Sequence, residues 1–425
     1  MGNTSTQVYD LAGRTIASIN ALGYRQTNYF DAAGQQIASE NALGDRSSQV
    51  YDAVGRTIAS IDPLGYRNSQ IYNEVGAVVA SIDPLGYRST GGYDVLGQQV
   101  TSEDPTGAVS TSIFNSLGQN VAVVNALGAR FTSVFDAAGR QTATTDPLGN
   151  TATANYNVAS QVVSQMNPLG VFSTSTYDAL GRGIASQDGN GNTSTSIYDV
   201  VGRQAASENA IGFRTTNLFD VAGRNTGLED ARGNQWTFGY DAAGQQVSQL
   251  DPLGRATTNA YDVDGRSTLR IDAKGNATTY SYDNVSAQTG RLYPDGSQAT
   301  FGYDAVGNRT QMEDSTGVYG YTFDARSQMS TATSPGDRTI TYSWDARGQK
   351  QTVTAPKSGE TTYGYSQLGQ LSTVTNSQNQ ATTFSYDLAG RQTKRELANG
   401  TRASQTFDAA GHLSKNLEPG SQRGS

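Results

Sequence analysis

Tyr51-Asp52-Ala53-Val54-Gly55-Arg56 is one copy of a signature, aromatic-Asp-x-x-Gly-(Arg or Gln), that fills the chain. The aromatic recurs at Tyr9, Phe30, Tyr51, Tyr72 and onward in steps of 21 residues as far as Tyr303. Phe323 comes one residue early, and Trp344, Tyr365, Tyr386 and Phe407 resume the step. The total is 20 units, with no range left over for a separate domain. A fixed period of this size marks a repeat architecture, in which units too small to bury a core alone must share one by stacking.

Working outward from Tyr51, Asp52-Ala53-Val54-Gly55 has turn chemistry. The Asp side chain can accept from the backbone two residues on, and Gly supplies a positive φ. The Asp position is Asp in 16 units, Asn in three and Ser in one; the Gly position is Ser at residues 160, 286 and 327. Arg56–Ile61 then has strand composition, Asp62-Pro63-Leu64-Gly65 is a second turn, and 66–72 is a second strand ending on the next aromatic. Turn signals about ten residues apart indicate all-β structure, and connections this short force antiparallel neighbours.

The expected fold is therefore all-β: about 40 strands in a continuous antiparallel meander of hairpins, each strand roughly 20–25 Å long. Laid flat it would be about 190 Å wide, and a sheet so wide and twisted must coil into a shell, spiral or tube. Ile58 and Ser60 point one way and Ala59 and Ile61 the other, so neither face is purely apolar and an oily sandwich interior is not expected. Columns of like residues would hold the wall, at about 0.2–1 kcal/mol per cross-strand pair.

Composition narrows the function. Hydrophobic residues make up 36% and mean hydropathy is −0.52, yet 23 Tyr and 12 Phe in strict order argue against disorder. Net charge is −8 with no basic block, which argues against nucleic acid as a partner. No apolar run is long enough for a membrane span, and no signal peptide opens the sequence. Residues 1–425 read as a single array, near-uniform over 1–280 and more divergent over 281–425. Gly2-Asn3-Thr4-Ser5-Thr6 is in register with Gly191-Asn192-Thr193-Ser194-Thr195, and the sequence stops after the turn Glu418-Pro419-Gly420, so the chain reads as a segment of a longer polypeptide.

The signature resembles the YD repeats of the Rhs and YD-repeat family, which includes bacterial Rhs toxins, wall-associated proteins, the shell component of insecticidal toxin complexes, and teneurins. Tyr-Asp-x-x-Gly-Arg stands intact at Tyr9-Asp10-Gly13, Tyr51-Asp52-Gly55-Arg56, Tyr177-Asp178-Gly181, Tyr198-Asp199-Gly202 and Tyr261-Asp262-Gly265, always in register. The resemblance covers the full chain. It implies β-hairpins that spiral into a hollow shell, an extracellular or cell-surface setting, and in bacterial members an enclosed C-terminal toxin. No segment resembling the family's self-cleaving core, toxin tail or plug is found, so an open tube or fibre is the alternative architecture.

The expected function is non-enzymatic: a structural wall segment enclosing or displaying an associated domain, a toxin among the options. Its partners would be the rest of its own polypeptide or neighbouring copies. The alternative is a self-associating extracellular fibre or adhesin that contacts cell-surface polymer or glycan. His412 is the single histidine and cysteine is absent, which disfavours zinc sites and Ser-His or Cys-His catalysis. No cofactor is expected. Asp188, Asn190 and Asn192 place oxygen ligands at alternate positions like the start of a calcium loop. The later ligands of such a loop are missing, and the segment falls where other units have their second turn.

Overall fold

A computed structural model of the chain describes residues 4–417. The Gly2-Asn3 start and the Glu418–Gly420 turn noted above lie outside the described residues. Forty strands belong to one sheet, and no helix occurs among the described residues. Each strand pair with a defined register is antiparallel and joins neighbours in the chain, as in Arg46–Tyr51 with Thr57–Ile61 and Thr57–Ile61 with Arg67–Tyr72.

Both turn types close in the same way. In the signature turn, Asp52 N–H donates to the Arg56 carbonyl at 3.0 Å and Gly55 N–H to the Asp52 carbonyl at 3.0 Å. In the second turn, Asp62 and Gly65 make the same bonds to Tyr66 and Asp62, both 3.0 Å. Gly55 has φ +88° and Gly65 φ +85°, the left-handed conformation that closes a short hairpin loop. Ser160, Ser286 and Ser327 occupy the glycine position with φ of 62°, 70° and 60°. The turns thus take five residues, so Arg56 and Tyr66 lie outside the strands. The strands span 5 and 6 residues, about 17–20 Å, shorter than the sequence-based expectation.

A β-bulge sits at the aromatic end of the signature hairpin. The register shifts between Val50 and Tyr51, so that Tyr51 faces Thr57 while Val50 faces Ala59. The same shift recurs in unit after unit, for example at Ile71/Tyr72 and Thr176/Tyr177. A bulge repeated in signature hairpin after signature hairpin, and absent from second-turn pairs such as Thr57–Ile61 with Arg67–Tyr72, adds local right-handed twist once per unit.

The buried hydrophobic residues are all alanines: Ala17, Ala38, Ala59, Ala80, Ala122, Ala206 and Ala299. No large side chain is fully buried among the described residues. Cohesion comes from columns of half-buried side chains, as the mixed faces require.

By contact density the chain forms two compact units. The first comprises Met1–Arg130, Tyr282–Thr289 and Ala299–Ser425; the second comprises Phe131–Ser281 and Gly290–Gln298. The first unit thus brings together chain segments far apart in sequence. In the second, the sheet carries two open depressions of about 690 and 590 Å³. The floor of the larger is laid by Ser175, Ser186 and Ser194 and by Ser196, Ser207 and Thr215, paired directly across neighbouring strands.

Candidate functional site: signature joints and turn edges

Each signature is a compact hydrogen-bonded joint. Asp52 Oδ1 accepts from the backbone N–H of Val54 at 3.0 Å and of Arg56 at 2.9 Å, and Oδ2 accepts from Arg56 Nε at 2.7 Å. The Arg56 guanidinium lies 4.7 Å from the centre of the Tyr72 ring, in the next unit, and donates to the Asn73 carbonyl at 3.3 Å. Tyr72 in turn donates its hydroxyl to the Thr57 carbonyl at 2.9 Å. One arginine therefore ties its own turn to the following aromatic by a charge-assisted bond and a cation–π contact.

The other intact signatures repeat this geometry. Asp10 holds Arg14 Nε at 2.6 Å, and Arg14 lies over Phe30 at 4.8 Å. Asp178 holds Arg182 at 2.6 Å under Tyr198 at 4.6 Å, and Asp199 holds Arg203 at 2.6 Å under Phe219 at 4.5 Å. Asp262 holds Arg266 at 2.7 Å. The hydroxyls of Tyr177, Tyr198 and Tyr261 donate to the carbonyls of Val162, Gly183 and Gln246 at 2.8, 3.1 and 3.0 Å. Gly13, Gly181, Gly202 and Gly265 all have φ between 78° and 90°. Tyr9 is largely exposed, on the first strand. Where Gln replaces Arg, its amide bridges to the next turn, as Gln35 Nε2 does to the Gly55 carbonyl at 3.1 Å.

The joints hold their carboxylates ionised. The backbone N–H of Arg56, with help from its guanidinium, keeps Asp52 below the usual carboxylate range. The Arg182 side chain and backbone do the same for Asp178.

Asp188 is committed to its turn. Its Oδ1 accepts from the backbone of Asn190 and Asn192, both at 2.9 Å, and its Oδ2 from the Asn192 amide at 2.9 Å. The Asn192 side chain is the main cause of its lowered pKa. Asn190 contributes its backbone and Asn192 points its amide at the Asp. No cluster of three or more His, Cys, Asp or Glu suited to a metal occurs among the described residues. His412 is exposed, with Nδ1 3.3 Å from Asp408 Oδ2.

Two arginines behave differently, and reading the sequence unit by unit missed them. Arg326 and Arg347 stand one position before the usual Gly slot, while Gln328 and Gln349 follow it. Both reach across the first unit to the second-turn edge of a distant segment. Arg347 pairs with Asp83 and lies 4.6 Å over the Tyr87 ring. Arg326 lies 3.6 Å from Asp62 and 5.0 Å over Tyr66. Each also donates to the next signature turn: Arg326 to the Asp345 carbonyl at 3.0 Å, Arg347 to the Gln367 carbonyl at 2.6 Å. Both pairs share one separation, 264 residues. Both arginine side chains are only 14% exposed. A signal for this lies in the sequence. Asp-Pro-Leu-Gly-Tyr occurs only at 62–66 and 83–87, and Asp-Ala-Arg opens a signature turn only at 324 and 345.

Hairpins closed by aromatic-Asp turns repeat through the 40 antiparallel strands of the described residues. Residues 218–417 match the family model described as teneurin YD-shell, so the resemblance to the Rhs and YD-repeat family holds. Solved structures share the fold. A Photorhabdus luminescens Tc holotoxin pore has 17% identity over 97% of this chain and 25% of its own, with a TM-score of 0.64. The TcdB2–TccC3–Cdc42 structure has 16% identity over 97% and 27%, with a TM-score of 0.61. TcdB2–TccC3 without its hypervariable C-terminal region has 14% identity over 97% and 30%, with a TM-score of 0.60. The chain thus spans about a quarter of the length of the solved chains it matches. No curated protein sequence matches it. No helix of the described residues is long and apolar enough to cross a membrane.

Proposed function

We propose that the chain is a non-enzymatic wall segment of a larger extracellular or cell-surface YD-repeat protein, and that the wall encloses a cargo domain of the same polypeptide, a toxin in the bacterial case. The observation that carries this reading is the edge joint of Arg326 with Asp62 and Tyr66, repeated by Arg347 with Asp83 and Tyr87. A sheet has two open edges of turns, and this joint seals one edge against the other within a unit. Sealing of that kind serves a container. The signature residues Tyr51, Asp52, Gly55 and Arg56 and their equivalents act as building joints, and residues 1–425 act as one array. Fold likeness to toxin-complex chains supports the container reading.

A test is protease protection of the natural polypeptide that carries this segment, with negative-stain imaging of the same sample. The wall reading expects closed particles whose internal polypeptide survives digestion. Open particles with a digestible interior contradict it.

One observation favours a second reading, a fibre built from copies. Many signature-turn tips, such as Leu11, Val95, Val200, Val221 and Val263, are apolar and fully exposed. Stacking of such edges between molecules would give concentration-dependent filaments, which imaging would detect. A glycan-contacting adhesin remains the form that reading would take at a cell surface.

A further inference from the structure

One face of the first unit changes chemistry along the chain. The position two places before the signature aromatic is Gln49, Gln70, Gly91 and Ser112 in the early hairpins. In the hairpins of residues 298–396 it is Phe301, Tyr321, Tyr342, Tyr363 and Phe384, and in the last it is again polar, Gln405. Pairing keeps the face the same. Gln49 lies opposite Ser60 and Gln70 opposite Ser81, while Phe301 lies opposite Met312, Tyr342 opposite Val353 and Tyr363 opposite Val374. A hydroxyl and amide surface has become a row of half-buried aromatic rings backed by aliphatic side chains.

Cations flank this row. Arg309 lies 5.7 Å from the Phe301 ring and 5.4 Å from Tyr321; Lys350 lies 5.5 Å from Tyr342 and 5.9 Å from Trp344. Arg395 is paired opposite Phe384. Of the strand carboxylates, Glu313, Glu360 and Glu396 pair with Thr300, Thr354 and Thr383 on the other face, and only Asp314, at the end of its strand and bonded to Thr316, shares the ring face among those described for this stretch. In a chain of net charge −8, this is a local surface that is aromatic and positive.

The spacing specifies a guest. Successive rings stand one hairpin apart, two strand spacings or about 9.6 Å. A polyproline II segment repeats every three residues, about 9.3 Å, and such segments dock on aromatic-lined grooves. A β-strand repeats every two residues, about 6.7 Å, and falls out of step.

We infer that the face bearing Tyr321, Tyr342, Tyr363 and Phe384 docks an extended acidic segment of the enclosed polypeptide, with an apolar side chain at every third position. The apolar side chains sit over successive rings, and the carboxylates between them meet Arg309, Lys350 and Arg395. This rests on the wall reading for the identity of the guest.

The test uses the full chain and a fluorescein-labelled peptide of four Leu-Pro-Glu triplets, read by anisotropy. Saturable binding is expected. It should weaken by about tenfold or more in a Tyr342→Ser/Tyr363→Ser variant and in an Arg309→Gln/Lys350→Gln variant. Tyr342→Phe/Tyr363→Phe should retain it, which separates ring contact from misfolding, and Gln49→Ala should leave it unchanged. Absent binding, equal binding of a Leu-Pro-Lys or alternating Leu-Glu peptide, or indifference to the variants overturns the docking inference. Protease protection of the natural polypeptide reports separately on enclosure: protection without peptide binding defeats the docking alone, and binding without protection defeats the wall alone.

Discussion

Arg347 crosses to Asp83, 264 residues away along the chain, and lays its guanidinium on the Tyr87 ring at 4.6 Å. The contact joins the signature-turn edge of one segment to the second-turn edge of another. Arg347→Gln leaves Asp83 without its ion and Tyr87 without its cap. The expected loss is about 1–3 kcal/mol of stability in the first unit, since charge-assisted bonds away from bulk water are of that size. Urea unfolding of the single variants, the double variant with Asp83→Asn, and the wild type should give a coupling of about 1 kcal/mol or more. Additive losses would show that the two residues do not cooperate.

Glycine at the turns answers to backbone geometry. Gly65 has φ +85° and an added Cβ would meet nothing within 4 Å; at Gly55, φ +88°, the nearest atom would be Gln35 Nε2 at 3.1 Å, the far end of a movable side chain. Gly55→Ala and Gly65→Ala should therefore cost alike, about 1–2 kcal/mol each, from the left-handed conformation alone. Ser327 already carries that strain at φ 60°, so Ser327→Gly should gain from a few tenths to about 1 kcal/mol. Thermal unfolding of the three variants checks both signs.

The tyrosine hydroxyl and ring separate cleanly at Tyr72. Tyr72→Phe loses the bond to the Thr57 carbonyl at 2.9 Å and keeps the platform under Arg56. A loss of about 0.5–1.5 kcal/mol is expected. Tyr72→Ser removes the ring as well and should cost clearly more. Equal losses in the two variants would show that the ring column contributes nothing.

Acid should weaken the array in a defined window. Asp10, Asp52, Asp136 and Asp178 all have pKa values lowered by the Arg four residues on, through its backbone N–H and its guanidinium. A folded-state pKa below the unfolded value, about 3.9, means that the contribution is fully present above that value and is lost as pH falls through it toward the folded pKa. Tm should stay level from about pH 7 to 5 and drop below about pH 4. Asp52→Asn should flatten the acid limb slightly, because one titrating joint is gone.

Much of the wall is legible in the sequence for a local reason. Asp52 and Gly55 close the first turn and Asp62 and Gly65 the second, each within its own five residues, and the 21-residue step repeats them, so local sequence places the hairpins. The bulge at Val50/Tyr51 is local too, but nothing in Tyr51 or Thr57 distinguishes a bulged pair from a regular one. Arg326 and Arg347 escaped for the opposite reason. Their partners are set by twist accumulated over many hairpins, which no single unit encodes, and only the matched exceptions Asp-Pro-Leu-Gly-Tyr and Asp-Ala-Arg betray them. The aromatic face at Phe301–Phe384 falls in the stretch whose units diverge after residue 280, but the row itself was not read from the sequence, because it depends on knowing which side chains share a face. The candidate ligands Asp188, Asn190 and Asn192 read in sequence as oxygen-rich, and the structure spends the Asp188 carboxylate on closing its own turn.

The edge joint is the central claim, and the absence of cysteine allows a direct measurement. Ser81 and Leu368 line the same hollow beside Arg347 and Asp83. Spin labels on Ser81→Cys and Leu368→Cys, with no other thiol in the chain, should give a single short inter-label distance by pulsed electron paramagnetic resonance, and Arg347→Gln should broaden it. A long or featureless distance distribution in the otherwise unaltered chain would contradict the joint and with it the sealed wall.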